Sequence, residues 1–410
     1  MSDETRPTDT GTEARSIAGQ TADMLGVWAP RGNEVRIAAM TVLTVALFPY
    51  LFSRAPGISG FLQGYQSLST LILIWGIFAI GFNLLLGYTG LLSFGHAAFW
   101  GGAAYAAGVF SQHVSGDPIL MVIAGSTFAV LLAWGLGFLS LRRGGIYFSI
   151  LTLAFAQMLF YMSSSPLAFV TGGENGFTGV ETGELFGVIH LESDLPSVLG
   201  TLLGTWLYAF VAVLAVLSIM FAYRLLNSPY GMVFRAIREN EQRAEFVGLN
   251  VWRYKLMSFI LSGMLAGVAG SLFAIHGSYV PLQSLYWTES GDIVVMTVLG
   301  GTGSLFGPLL GAGIYLYVEN IVSGFETLGV FWHLILGVVF VTVIWLFPRG
   351  VWGALEDLAW FVRLAARDPQ AALDHAVTKV RGWLVRVKSV LVDVVTAPLR
   401  WAALLTGGER

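Results

Sequence analysis

The chain has 410 residues, of which 55% are hydrophobic and only 11% charged, with a net charge of −3. A soluble domain carries roughly a quarter of charged residues, so there is too little charge here to face water, and the apolar excess must face lipid. The near-neutral balance excludes the basic field that nucleic-acid binding needs, and zero cysteine excludes disulfides, thiolate metal sites and a cysteine nucleophile.

Residues 1–36 are mostly polar and mixed in charge, with no basic stretch leading into an apolar core and a small-residue cleavage site. They read as a disordered cytoplasmic tail and not as a signal peptide. A helix needs about 20 mostly apolar residues to cross the hydrocarbon core. Candidate spans fall at 37–53, 67–86, 93–112, 119–141, 145–163, 199–223, 256–276 and 328–347. The stretch 293–323 is apolar but interrupted by glycines and Pro308, and reads as one long helix or two short ones. Residues 354–410 place Trp360, Trp383, Leu384 and Val387 against Arg381, Arg386 and Lys388, an amphipathic pattern suited to the membrane interface or to a partner.

Charge settles the fold class. Arg142, Arg143 and the basic residues of 224–255 belong in the cytoplasm, whereas 164–198 holds five carboxylates with no Lys or Arg and belongs outside. The 277–292 loop, with Glu289 and Asp292, must then lie outside, and the basic residues after the last span inside. Only two helices within 293–323 satisfy both ends. The expectation is an all-α polytopic membrane protein of about ten spans with both termini cytoplasmic, its membrane domain covering 37–353.

Two glycine-interrupted segments stand out: Gly87–Gly95 (GYTGLLSFG) and Gly300–Gly307 (GGTGSLFG). Each lies between an inward and an outward span and leads into a glycine-rich helix, as a weak parallel repeat would. Paired interruptions of this kind point to a transport site, because unwound backbone can bind polar solute. The candidate pathway residues are Asn83, Thr89, Gly90, Ser93, Gly95, His96, Gly301, Thr302, Gly303 and Gly307. The same glycines would equally serve tight helix packing. Other intramembrane polar groups are few (Gln157, Glu319 and His333), with no acidic-histidine chain of the kind ion-driven pumps use and no catalytic or metal-ligating cluster.

The 224–255 loop is more ordered than a connector requires. Ser228-Pro229 is a helix start, Gly248 a stop, and Arg235 with Glu239 and Glu239 with Arg243 have i,i+4 spacing, which reads as one charged helix over 229–248. Such an element could lie on the membrane or dock a cytoplasmic partner.

These residues bring a family into view. Tyr88–Phe99 (YTGLLSFGHAAF), Gly144–Phe148, Leu151–Phe155, Thr171–Phe177, Arg235–Glu241 and Gly300–Pro308 occur in the order found in LivM-type permeases of branched-chain amino acid ABC transporters, which the chain resembles over residues 70–352. The resemblance implies a permease subunit that is not an enzyme and carries no cofactor, since ATP would be bound by two separate ATPase subunits. It also implies a second LivH-like permease, an extracellular or periplasmic solute-binding protein and a small-molecule substrate in a lipid membrane, with no nucleic-acid partner. The sequence has no lysine-bearing phosphate cradle of its own. By the same resemblance the coupling loop would use Arg235, Glu239, Glu241, Ala244 and Gly248. Ala244 and Gly248 fit the family's Ala-x-x-x-Gly spacing, whereas Gln242 and Arg243 depart from its pattern. Relatives that carry urea or short amides, and an ion-coupled carrier, are the alternative functions.

Overall fold

The computed structural model describes residues 32–50, 65–142, 144–185, 187–196, 200, 202–323 and 332–367. Helices dominate, in the order α1 (Gly32–Pro49), α2 (Gln66–Asn83), α3 (His96–His113), α4 (Pro118–Ser140) and α5 (Ile146–Ser164). There follow α6 (Trp206–Leu226), α7 (Pro229–Glu239), α8 (Glu241–Phe246), α9 (Val251–Gly277), α10 (Trp287–Gly300), α11 (Gly307–Ser323), α12 (Trp332–Leu346) and α13 (Gly350–Arg367). Each expected span has a helix, and 293–323 is two, α10 and α11. The first helix starts at Gly32 instead of 37; the rest of the expected N-terminal tail, and the tail beyond Arg367, lie outside the described residues.

Among the described residues five helices are long and apolar enough to cross a bilayer: α2 with its continuation to Thr89, α4, α5, α6 and α9. The α9 helix is the centre. Without a hydrophobic drive inside lipid, helices associate by close van der Waals contact between small residues. A Cβ on Gly263 or Gly267 would come within 2.6 Å of Ala133 or Ala129 on α4, and one on Gly270 would overlap the Trp100 carbonyl of α3. The α2 helix closes the other side, its Phe78 ring stacked 4.8 Å from Trp100. By contrast α4 presents Leu131 and Trp134 outward, 62% and 57% exposed, as lipid-facing side chains should be.

The α1 helix is tied in by a backbone defect. Pro49 has no N–H for the Val45 carbonyl one turn back, and the Tyr208 hydroxyl of α6 donates to that carbonyl at 2.7 Å.

The 277–292 segment departs from expectation, because it is not a surface loop. Phe177–Thr178 (β1) and Tyr279–Val280 (β2) pair antiparallel, the only sheet among the described residues and one not foreseen in an all-α reading. From there the chain runs inward beside α3. Phe177 packs on Gly108, Ser284 and Leu285 pack on Gly101, and Ser290 accepts the Ala97 amide at 2.8 Å. That descent spans 11 residues of α3, about 16 Å at helical rise. It is why α10 needs only 14 residues, about 21 Å, to reach its glycine terminus.

Candidate translocation and coupling site

Both glycine segments interrupt the helical ladder, and the fold brings them into contact. The α2 helix widens into a π-helix, Leu84–Thr89, that ends on Gly90 in the left-handed region (φ 80°). The α10 helix ends at Gly300, and the chain turns through Gly301 (φ 117°) and Gly303 (φ 83°) before α11. Left-handed backbone is accessible to glycine without the Cβ clash. Asn83 joins the two junctions: its amide nitrogen donates to the Ser304 carbonyl at 2.8 Å, and its amide oxygen accepts from Gly303 N at 2.9 Å. A Cβ on Gly87 would lie 2.7 Å from Gly303 N, so the two backbones touch.

The other expected pathway residues spread along this seam. Thr89 is buried and donates to the Leu84 carbonyl at 3.3 Å, while Ser93 is buried and accepts from Gly95 N at 3.3 Å. Gly95 sits against the Thr152 backbone of α5, and Gly307 N donates to Ser304 Oγ at 3.1 Å. Thr302, next to Gly301 in the second turn, is exposed.

His96, the first residue of α3, is fully buried, with Nε2 2.8 Å from Ser262 Oγ. Ser262 gives its own proton to the Gly81 carbonyl at 2.6 Å, so in this bond the imidazole Nε2 must be the donor. The Nδ1 atom is then an acceptor, and it is buried without a hydrogen-bond partner among the described residues. Phe82, Phe99 and Phe259 pack edge-on around the ring with centroids at 4.9, 5.3 and 5.9 Å. This polar knot links α2, α3 and α9 well inside the bundle, since Ser262 lies 11 residues into α9.

The 224–255 loop is ordered but is not one helix. Asn240 breaks it with extended backbone (φ −160°, ψ 103°) and caps α8 instead, its side chain accepting from Arg243 N at 2.9 Å. The expected Glu239–Arg243 spacing therefore does not lie on a single helix face. Arg235 has other partners than Glu239: its guanidinium lies 5.4 Å over the Tyr88 ring and donates to the Leu226 carbonyl at 3.4 Å. Glu239 and Glu241 are exposed, and Glu241 pairs with Lys255 on α9 at 2.5 Å. Gly248 (φ 90°) is the stop, with Gly248 N donating to Glu245 O at 2.8 Å and Leu249 N to Ala244 O at 3.2 Å.

Ala244 is buried in this chain's own packing with Ile237 and Val251. What projects instead is Phe246 and Val247, 91% and 78% exposed. Sequence reasoning missed Arg238, whose side chain donates to the Gly87 carbonyl and lies along Gly90. The signal was faint: Phe234 and Ile237 form the inward stripe of α7, and Arg238 is the next position on its edge.

These features define a multi-span helical membrane protein whose basic loop rests on two paired breaks in its bundle. A family model for the permease component of branched-chain amino acid transport systems matches residues 64–344, and the chain belongs to that family. It is 30% identical over 307 residues to the high-affinity branched-chain amino acid transport system permease protein LivM of Escherichia coli, covering 72% of this chain and 69% of the relative. A probable LivM permease of Methanocaldococcus jannaschii is 23% identical over 69% of this chain and 93% of its own. The probable LivH permease of the same archaeon is 31% identical over 28% of this chain and 36% of its own. No solved structure matches the chain.

Proposed function

We propose that the chain is the translocation subunit of an ABC importer that carries branched-chain amino acids across the cytoplasmic membrane, driven by ATP hydrolysis on two separate subunits. The observation that carries this reading is the α7–α8 loop. It is anchored on both glycine junctions and presents an exposed apolar tip, Phe246-Val247, beyond the chain's own core. An apolar pair in water with charged neighbours Arg243 and Glu245 has the character of a protein contact. In this reading Arg235 and Ala244 hold the loop's shape, Glu239 and Glu241 flank its contact face, and Gly248 gives the turn that exposes the tip.

The chain crosses the membrane ten times with both termini inside, as its basic loops require. The α13 helix lies in the inner interface, with Leu358 and Trp360 57% and 50% exposed. A solute-binding protein delivers substrate to the acidic 164–198 segment, which β1 and β2 tie to the top of the 277–292 descent. A LivH-like permease completes the path, in keeping with an archaeon whose LivM and LivH proteins are both similar to this chain. The path follows the seam from His96 to the glycine junctions. Its apolar lining with few fixed charges suits an aliphatic zwitterion, and closure of the ATPases rocks the bundle about the junctions.

The test is uptake in vesicles holding this chain with its ATPases, second permease and binding protein, comparing labelled leucine with urea. ATP-dependent leucine uptake that disappears in Gly248→Trp supports the reading. Urea uptake in its place keeps the class and changes the substrate, whereas transport by this chain alone on an ion gradient overturns it.

A further inference from the structure

Among the described residues the Arg238 guanidinium donates to a backbone carbonyl, and no carboxylate pairs with it. Its Nη1 donates to Gly87 O in the π-helix. The stem runs over Gly90, where an added Cβ would meet its Cγ at 3.1 Å. The guanidinium also borders the second junction, since a Cβ on Gly303 would lie 3.3 Å from the same Nη1 and 3.5 Å from Gly87 O. One side chain therefore touches both junctions, at the point where their backbones meet. It is carried by α7, which is fixed to the bundle by Phe234 packed with Leu84, Tyr88 and Leu226.

We propose that Arg238 is the positioning residue through which the cytoplasmic loop holds both glycine junctions together, so that displacing the loop and parting the junctions are one event. The proposal rests on the importer reading above and deepens it. The chemistry favours arginine. Gly87 lies in the last turn of the π-helix, where carbonyls lack an intrahelical partner, and a planar guanidinium can satisfy one while spanning to a second backbone. A lysine ammonium is a compact charge that can reach Gly87 O but cannot bridge in the same way. Arg238 is exposed, and the absence of a side chain at Gly90 and Gly303 lets its stem and guanidinium lie directly across both junctions.

The experiment compares wild type, Arg238→Lys and Arg238→Gln in the complete reconstituted assembly, measuring leucine uptake and ATP hydrolysis together. In Arg238→Gln uptake per ATP hydrolysed should fall by about tenfold to a hundredfold, the range for losing one charge-assisted hydrogen bond, while ATP hydrolysis persists. Arg238→Lys should fall between. A contact that merely stabilised the fold would lower both activities in step. Unchanged uptake per ATP overturns the proposal. So does loss of the ATPases from the purified complex, which would make Arg238 a docking residue. Hydrogen exchange on the same assemblies decides the matter even if leucine is not the substrate: amides in 88–95 and 301–307 should both exchange faster in Arg238→Gln. Acceleration at one junction alone, or at neither, overturns the latch. If wild type imports neither leucine nor urea, it is the importer reading that has failed.

Discussion

The two glycine junctions meet at one point but are built differently. Both leave the helical ladder for six residues, 90–95 and 301–306, but the first reaches its break through a π-helix and a single left-handed glycine, Gly90. The second breaks directly after Gly300, through two positive-φ glycines, Gly301 and Gly303, and is lined by close backbone contacts. A Cβ on Gly300 would overlap the Gly307 carbonyl, one on Gly311 the Met296 carbonyl, and one on Gly350 would lie 2.5 Å from Gly301 N. Asn83 and Arg238 reach both junctions, whereas the second adds a set of its own backbone contacts at Gly300, Gly311 and Gly350 that tolerate no side chain. π-Helical turns often mark functional sites, and a close-packed hairpin resists deformation. On this difference the first junction is expected to be the softer of the two.

Substitutions can break that comparison. The largest effect should come from Gly311→Ala, because its Cβ meets carbonyl backbone that cannot rotate away. The expected loss is about 3 kcal/mol, the upper end for overpacking, seen as poor recovery of monodisperse protein and a lower thermal midpoint in detergent. Asn83→Ala should follow. It leaves the Ser304 carbonyl and the Gly303 amide without their partner, at a cost of about 2 kcal/mol. The same midpoint measures it. Gly90→Ala and Gly303→Ala force left-handed backbone on alanine for about 1–2 kcal/mol each. If the first junction is the softer, Gly90→Ala will slow uptake more than its stability loss accounts for, and Gly303→Ala will not. Equal effects on uptake would remove the distinction between the junctions.

Much of this was legible in the sequence because lipid imposes simple rules. Long apolar runs gave the helices, and the uneven placement of Lys and Arg separated α10 from α11 where hydropathy alone could not. The paired glycine motifs gave the junctions, since few other residues fit such backbone. What was hidden depended on tertiary neighbours. Nothing local indicates that Ser284 and Leu285 dive beside Gly101, because a short polar-apolar stretch reads as a surface loop until α3 is seen to receive it. The acceptor role of His96 Nδ1 follows only from the bond that Ser262 makes to Gly81. The break at Asn240 was written as a capping residue, but the charge spacing on either side read as one helix and masked it.

The smallest predicted effect on stability is the one that separates the chain's own architecture from its contacts. Phe246 and Val247 touch little of this chain, whereas Ala244, two residues earlier, is buried among Ile237 and Val251. Replacing Phe246 by serine removes an apolar side chain already in water, so the midpoint should shift by no more than about 0.5 kcal/mol, as for ordinary surface positions. Ala244→Ser places a hydroxyl in the packed side of the same turn and should cost more. If the tip is a docking element, Phe246→Ser will leave the isolated chain intact while the ATPase subunits no longer co-purify with it. Retained co-purification together with normal uptake would show that the loop's contact lies elsewhere on its charged face, at Glu239, Glu241 or Arg243. A large stability loss would mean instead that Phe246 packs against the bundle, and that α8 is part of the core and not its exposed edge.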